Sequence, residues 1–447
     1  MTTATDSARP RAGSNLRRAL TFSALGTAGA RAIGAIGGVV VARALHPAAR
    51  GDLAVLVVFA SIGSLVGAAG VQFWIAREVA RTDSMRGPHA VVALHSIAVV
   101  IAVTVAGLVV APWVVPTAVT ADAFAATVAY AGTGGVCFVA LALPNGLRSM
   151  GVVSGAVMLA SVTYLAGAIW LWATGTASVS GVLWFATLGN VGTLVVVLGF
   201  WWRCRGVTRS SDSIGSVRTW WKGVRFGAAG GAGELVLFAM FRIDFLLVAA
   251  FLPLADVGIY AVATGLTELL WIVPDGSAQV LLPTGARADE GHLFAPIFRV
   301  ASVVSLIVAV GLTVVARPAI SVIFGTAYGA ASGVVPFLAV AAVAGGAWKM
   351  LAADIAARAS TSPRLTSALV GLAVMVGSDL IAIPHFGLAG AGFSAAIGYA
   401  AALMFIARAW VRESGIPAGK LIGLHAHDLS LIRGTRHRAD AAREVAA

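Results

Sequence analysis

Five ionisable residues lie within long apolar stretches of this sequence, where a charge is costly unless water, a ligand or a partner meets it. A charged side chain at bilayer depth costs about 2.5–3.5 kcal/mol on insertion scales, so such residues usually line a cavity or form an ion pair. Arginine suits phosphate because its guanidinium is planar and always charged. We therefore predict a substrate-binding site built from these residues, with interhelical ion pairs as the alternative. The five are Arg31, Glu234, Arg242, Asp244 and Glu268.

Three of these residues share one predicted helix, so their spacing decides which can face the same cavity. At 100° per residue, Glu234 and Arg242 are about 80° apart, whereas Arg242 and Asp244 are about 160° apart. Arg242 and Asp244 therefore cannot line the same face of a straight helix. We expect one of them to pair with a neighbouring helix.

Other polar residues in the apolar stretches favour less specific roles. Lys349, Asp354 and Asp379 lie towards the ends of predicted helices, where interfacial solvation explains a charge without a binding role. His95 could relay protons, but a buried histidine satisfied by hydrogen bonds is the favoured interpretation.

Enzyme chemistry has no signature in the sequence. HExxH, GxSxG and Walker loop motifs are absent, and no cysteine and histidine residues cluster at metal-ligand spacing. We predict a protein that is not an enzyme and that uses neither a cofactor nor a metal site. Without an ATP-binding motif, any transport would be driven by an ion gradient, the membrane potential or a partner.

The elements that carry these residues are predicted to be membrane-spanning helices. The chain is 59% hydrophobic and 11% charged, against roughly 25% charged residues in soluble proteins. Its apolar runs are long enough to cross a ~30 Å hydrocarbon layer, which needs about 20 helical residues. Twelve apolar segments are predicted: 20–45, 52–75, 88–112, 121–143, 150–173, 180–202, 226–251, 256–281, 296–316, 330–352, 364–383 and 387–409.

The basic residues predict the orientation of these helices and explain the net charge of +12 without nucleic acid as a partner. With the N-terminus in the cytoplasm, 26 lysine and arginine residues fall on the inside, and Arg43, Arg50 and Arg317 fall outside. We therefore predict a multi-pass protein of the cytoplasmic membrane with both termini in the cytoplasm.

A weak internal repeat predicts two lobes of six helices each. An offset of 207 residues places Leu45 and Gly51 on Leu252 and Gly258, where the second helix of each half begins. Six helices per half preserve orientation, so the repeat is parallel, with a pseudo-two-fold axis along the membrane normal. The predicted parts are a cytoplasmic tail at 1–19, an N-lobe at 20–206, a C-lobe at 207–414 and a cytoplasmic basic tail at 415–447.

Glycines four residues apart begin the seventh predicted helix. Small residues at this spacing let helix backbones approach closely. Close packing is the favoured interpretation, and a helix that bends or slides during transport is the alternative. The glycines are Gly223, Gly227 and Gly231.

Four short stretches of sequence, in this order and spacing, carry a family resemblance that covers most of residues 20–409. The first is Ala42-Arg43-Ala44-Leu45-His46-Pro47 with Arg50-Gly51 and a helix ending Ile75-Ala76-Arg77; the second is Arg242-Ile243-Asp244 with Gly258-Ile259-Tyr260-Ala261-Val262-Ala263, Glu268 and Leu282-Pro283; the third is Phe324-Gly325 with Tyr328; the fourth is Ile383-Pro384-His385-Phe386-Gly387-Leu388-Ala389-Gly390-Ala391-Gly392.

Together these stretches resemble the polysaccharide-biosynthesis flippases of the multidrug/oligosaccharidyl-lipid/polysaccharide (MOP) exporter superfamily. The resemblance implies a MATE-like fold of twelve helices in two lobes and export of a polyprenyl-diphosphate-linked glycan by alternating access. It assigns engagement of the anionic head group to Arg31 and Arg242, and it matches Glu268 to the acidic position of the eighth helix. The first helix departs from the drug/cation branch, because it carries Arg31 and no carboxylate. This departure favours an anionic cargo.

The leading hypothesis is therefore a flippase for a lipid-linked oligosaccharide in cell-surface polysaccharide biosynthesis. Its partners would be the lipid-linked glycan, the bilayer, and glycosyltransferases or a polymerase of the same pathway. A small-molecule or drug antiporter of the same fold is the alternative. A membrane glycan polymerase or acyltransferase is disfavoured, because the predicted outer loops are short and nearly uncharged.

Overall fold

The structure is a computed structural model that describes residues 11–82, 86–114, 120–204, 217–285, 294–357, 362–421, 423 and 428. All secondary structure in these ranges is helical, as the apolar segments predict. The all-α fold class is therefore confirmed. The described residues divide into two compact units, residues 1–249 with 253–261 and residues 250–252 with 262–447. This division does not test the predicted lobe boundary at residue 206, which stays a prediction.

The helices of the first unit follow the first seven predicted segments. They are α1 (Arg11–Ala44), α2 (Pro47–Ala68), α3 (Val71–Thr82), α4 (Arg86–Val114), α5 (Ala121–Ala140), the single turn α6 (Ala142–Gly146), α7 (Met150–Ala173), α8 (Val179–Cys204) and α9 (Val217–Phe251).

The remaining helices follow the last five predicted segments. They are α10 (Leu254–Thr267), a 3-10 turn (Glu268–Trp271), α11 (Ile272–Gly285), α12 (Phe294–Ile323), a 3-10 segment (Thr326–Gly333), α13 (Val335–Ala357), α14 (Ser362–Ser414) and a 3-10 turn (Ala418–Leu421).

Each predicted apolar segment lies in helical structure, although its ends differ from the prediction. Helices α1 and α9 begin about nine residues before the predicted spans. Helix α14 joins the last two segments across non-helical backbone at Gly387, where φ is 59°. Nine helices of the described chain, α14 among them, are long and apolar enough to cross a membrane. The chain is thus a multi-pass membrane protein, and the count of twelve spans stays a prediction.

The second predicted span breaks where α2 gives way to α3. Ala69 and Gly70 have φ values of 48° and 72°, which end the α2 hydrogen-bond ladder. His95 compensates for the helical hydrogen bonds that are lost at this break, because its Nε2 lies 3.1 Å from the carbonyl oxygens of Gly67 and Ala68. Its Nδ1 accepts a hydrogen bond from Trp220 at 3.0 Å. His95 is therefore a buried, satisfied histidine, as the sequence favours.

The glycines of α9 pack against this break. A Cβ atom at Gly227 would overlap the carbonyl group of Gly70, and one at Gly231 would lie 2.8 Å from the Gly70 amide nitrogen. A Cβ atom at Gly223 would lie 3.1 Å from the Trp74 ring. These contacts confirm the close-packing interpretation, since larger side chains would force the two backbones apart.

Part of the predicted basic tail packs on the second unit. Arg299, near the start of α12, donates from Nε to Asp428 Oδ2 at 2.8 Å and from Nη2 to the other carboxylate oxygen. Its Nη1 donates to the carbonyl of Lys420. Asp428 is completely buried and Arg299 is 9% exposed. The described part of the tail is therefore packed against the helices, while residues 429–447 lie outside the described residues.

The expectation of interfacial solvation is wrong for Asp354 and Asp379. Asp354 is 1% exposed and accepts a hydrogen bond from Trp410 Nε1 at 2.7 Å, which joins α13 to α14. Asp379 is fully buried within α14. Lys349 is also largely buried and paired with Asp275. Spacing from the helix ends does not reveal these partners, because they come from other helices.

Candidate functional site

A cavity of about 510 Å³ lies within the first unit, among α2, α5, α7, α8 and α9. Ligand pockets are commonly of roughly 300–1,000 Å³, so a sugar or a small organic molecule fits this volume. Its lining combines hydroxyl, amide and carboxylate groups with aromatic rings. The lining residues are Ser61, Ser64, Leu65, Tyr130, Gly134, Cys137, Phe138, Leu141, Val157, Ala160, Asn190, Thr193, Glu234, Phe238 and Phe241.

Three hydroxyl groups of the lining already donate hydrogen bonds to backbone carbonyls. Ser61 Oγ donates to a carbonyl one helical turn earlier at 2.7 Å, and Ser64 Oγ does the same at 2.9 Å. Thr193 Oγ1 is held in the same way at 3.2 Å. A hydroxyl has one proton and two lone pairs, so each can still accept a hydrogen bond from a ligand.

Asn190 is oriented by its neighbours on α5. Its Nδ2 donates to Thr133 Oγ1 at 3.2 Å and reaches the carbonyl of Tyr130 at 3.5 Å. Cys137 Sγ lies 3.3 Å from the backbone carbonyl of Asn190 and fixes the same pair of helices. With its nitrogen occupied, the side chain offers its oxygen as an acceptor.

Glu234 is the single charged residue among the described residues that line the cavity. It shares one face of α9 with Phe238 and Phe241, since residues four and seven positions apart lie on the same side of a helix. The polar groups of the lining are therefore mainly hydrogen-bond acceptors. They are suited to a ligand that donates hydrogen bonds.

The described residues that line this cavity do not include three other predicted site residues of the first unit, Arg31, Arg242 and Asp244. Arg31 is exposed on α1, next to Ala30, which is 2% exposed. Arg242 is half-buried, and its guanidinium carbon lies 5.8 Å from the centre of the Phe245 ring. Their predicted role in substrate binding stays a prediction.

Asp244 instead joins two neighbouring helices. It is 3% exposed, and its Oδ2 accepts a hydrogen bond from the Tyr260 hydroxyl of α10 at 2.6 Å. Its Oδ1 accepts from the backbone N–H of Phe245 at 3.0 Å. This is the pairing with a neighbouring helix that the 160° separation from Arg242 predicts.

Glu268 lies in the second unit, where the helical path changes. It is half-buried and opens the 3-10 turn Glu268–Trp271 between α10 and α11. Interrupted helices expose backbone groups at membrane depth and are common at transporter binding sites. The structure therefore gives Glu268 a setting typical of a site, and its role in binding stays a prediction.

Several residues that build these surroundings were missed by the sequence reasoning. Asn190, Thr193 and the two serines of α2 are neutral and common in membrane helices, so no signal singles them out. Asp275 is different, because the rule on buried charges that selects Glu268 also applies seven residues further along. Among the described residues, no group of three or more histidine, cysteine or acidic side chains could hold a metal ion.

Comparison with known families finds one family model that matches more than half of the chain. The family model described as "Polysaccharide biosynthesis protein" matches residues 16–288. No curated protein matches the sequence significantly.

Comparison with solved structures finds the same fold in exporters. An inward-facing multidrug resistance MATE family transporter of the MOP superfamily has a TM-score of 0.65 at 16% identity, over 86% of this chain and 95% of that chain. Lipid II flippase MurJ, in an inward closed conformation, has a TM-score of 0.70 at 11% identity, over 89% and 88%. A MOP superfamily transporter from Pyrococcus furiosus, for which a binding pocket of reverse polarity suggests a different function, gives 0.62 at 16% identity, over 89% and 96%. These likenesses confirm the predicted MATE-like fold.

Proposed function

The chain belongs to the polysaccharide biosynthesis protein family, and from this premise we propose that it flips a polyprenyl-diphosphate-linked oligosaccharide from the cytoplasmic to the outer leaflet by alternating access. The matched family is described as a polysaccharide biosynthesis protein, and solved structures with the same fold are named as a multidrug transporter and a lipid II flippase. On this proposal the protein lies in the cytoplasmic membrane with both termini inside. Pathway glycosyltransferases or a polymerase would supply and consume its substrate.

The observation that carries the proposal is the acceptor-rich cavity of the first unit. A glycan presents many hydroxyl donors, and the lining offers hydroxyl lone pairs, the Asn190 oxygen and the Glu234 carboxylate to receive them. Aromatic rings such as Tyr130 and Phe238 offer apolar faces for the C–H surfaces of sugar rings. The cavity would therefore take sugar, while the diphosphate would be held by cationic residues elsewhere, with Arg31 and Arg242 as candidates.

A flipping assay in liposomes tests the proposal. Purified protein is reconstituted with a short-chain polyprenyl-diphosphate glycan, and the fraction that becomes accessible to an external sugar-oxidising enzyme is followed over time. Flipping by the wild type supports the function, and its absence with correctly folded protein overturns it. The variants Arg31→Ala and Glu268→Ala are expected to lose flipping, whereas Arg317→Ala, an exposed arginine of α12, serves as the matched control.

One observation favours a second candidate function, the export of organic cations. A carboxylate and aromatic rings that line the same cavity, as Glu234, Phe238 and Phe241 do, can bind a cation through both charge and ring faces. A vesicle uptake assay with a fluorescent organic cation would separate the two functions. Uptake that requires Glu234, in vesicles that show no glycan flipping, would establish the antiporter and reject the flippase.

A further inference from the structure

A charged pair joins α11 and α13 inside the second unit. Lys349 Nζ lies 3.3 Å from Asp275 Oδ1 and 3.5 Å from Oδ2. The exposed fractions of the two side chains are 19% and 15%. Tight charge-assisted hydrogen bonds are about 2.7–2.9 Å long, so this pair is a loose one.

Lys349 lies well inside α13, whereas Asp275 lies in the first turn of α11, directly after the 3-10 turn Glu268–Trp271. At 1.5 Å per residue, Lys349 is about 12 Å from the C-terminal end of α13 and about 21 Å from its start. Asp275 is about 15 Å from the end of α11. Burying two charges among packed helices costs more than their attraction commonly returns, and an apolar pair of similar volume is often at least as stable. A role beyond stability accounts for their presence.

An aromatic platform holds the ammonium group independently of the carboxylate. Lys349 Nζ lies 3.7 Å from the centre of the Trp271 ring, and tryptophan is the best cation–π partner among the side chains. Trp271 is itself fixed, since its Nε1 donates to the Ala342 carbonyl at 2.9 Å. The Tyr399 ring meets it edge-on with ring centres 6.4 Å apart. The cation would therefore keep its position if the carboxylate released it.

From this geometry we propose that Lys349 binds the diphosphate group of the substrate, and that Asp275 neutralises it when no substrate is present. The inference rests on the proposed flippase function and adds a cationic residue of the second unit to it. A phosphate oxygen would replace the Asp275 oxygens as the partner of the ammonium, while Trp271 holds Nζ in place. Lysine acts here as a point charge with three rotatable donors, a common mode of phosphate binding.

Two single substitutions test this proposal, because they should change binding in opposite directions. Binding of farnesyl diphosphate to the purified protein is measured by titration calorimetry, with farnesol as the uncharged control. Lys349→Gln should weaken diphosphate binding about tenfold or more, the loss expected for a hydrogen bond to a charged group. Asp275→Asn should strengthen it, because a competing anion is removed. Lys349→Arg should retain binding, and Lys420→Gln, at an exposed lysine, should leave it unchanged.

A purely structural ion pair makes a different prediction. In that case Lys349→Gln and Asp275→Asn would lower stability alike and would change diphosphate binding alike, and this outcome overturns the proposal. If Lys349→Gln does not fold, the double variant Lys349→Gln/Asp275→Asn keeps both volumes without the charges and should bind as weakly as expected for the single variant. Unchanged binding in that double variant also overturns the proposal.

The flipping assay separates failure of this inference from failure of the proposed function. A wild type that flips the glycan, together with a Lys349→Gln variant that flips and binds equally well, rejects the role of Lys349 alone. A wild type that neither flips the glycan nor prefers farnesyl diphosphate to farnesol rejects the flippase function and the inference with it.

Discussion

Gly51 and Gly258 meet through a reciprocal contact at the starts of α2 and α10. A Cβ atom at Gly51 would overlap the carbonyl of Leu254, and one at Gly258 would overlap the carbonyl of Pro47. Both the glycines and their partners are separated by 207 residues, which is the offset of the sequence repeat. Self-complementary contacts of this kind are characteristic of two-fold relations. The weak repeat therefore corresponds to a real structural equivalence between two helix starts.

Substitution of either glycine should destabilise the protein strongly. In Gly258→Ala the methyl group would meet a backbone carbonyl that cannot turn aside, so the cost should reach or exceed the about 1–3 kcal/mol typical of overpacking. Thermal unfolding of the purified protein in detergent measures the effect. Gly265→Ala on the same helix is the control, because a Cβ atom there meets nothing within 4 Å. Equal melting temperatures for the two variants would contradict the contact.

The hydrogen bond between Tyr260 and Asp244 should contribute measurably to the packing of α9 on α10. Tyr260→Phe removes one donor from a buried carboxylate, and about 1.5–3 kcal/mol is expected for a hydrogen bond to a charged group. A double-mutant cycle with Asp244→Ala isolates the pair, because alanine has no acceptor for the hydroxyl, and a coupling energy near zero would argue against it. If Asp244 acted only as a substrate contact, Tyr260→Phe would leave the melting temperature unchanged.

The ion pair between Arg299 and Asp428 should make the segment after α14 necessary for a stable second unit. Asp428→Asn leaves a buried guanidinium without its carboxylate, and breaking a buried pair commonly costs about 3–5 kcal/mol. We expect a lower melting temperature and faster proteolysis of the segment that follows Ser414. Arg412→Gln, at an exposed arginine of α14, is the control and should behave as the wild type does.

Asn190 should act through the shape and polarity of the cavity more than through stability. Asn190→Leu would replace an acceptor of the cavity with an apolar group, so glycan binding or flipping should fall while the protein remains folded. Flipping rates and melting temperatures measured on the same preparation test this. Val195→Leu, at an exposed position of the same helix, provides the control. Normal flipping by Asn190→Leu would exclude the cavity from the substrate path.

Prediction succeeded where a local property of the chain decides the structure. The length of each apolar run determines that it forms a helix, because backbone groups in a bilayer must be satisfied within the segment. The offset between Gly51 and Gly258 could be found by aligning the chain with itself. The separation of Arg242 and Asp244 follows from helix geometry, and the structure pairs Asp244 with Tyr260.

The sequence did not predict the contacts between residues that lie far apart in the chain. The cavity joins Ser61 to Glu234, and Arg299 pairs with a residue 129 positions later. Such contacts depend on how each helix is rotated about its own axis, which the apolar character of a segment does not record. For the same reason, Asp354 looked like an interfacial residue although Trp410 covers it.

The sequence by itself determined the membrane-spanning helices, the repeat and the presence of costly charges within them, since each depends on residue type and spacing along one segment. Only the tertiary structure decided the partners of those charges: Glu234 lines a cavity, Asp244 binds Tyr260, and Lys349 rests on Trp271 beside Asp275. The physical reason is that a buried charge must be compensated, while many neighbours could compensate it, and helix packing selects among them.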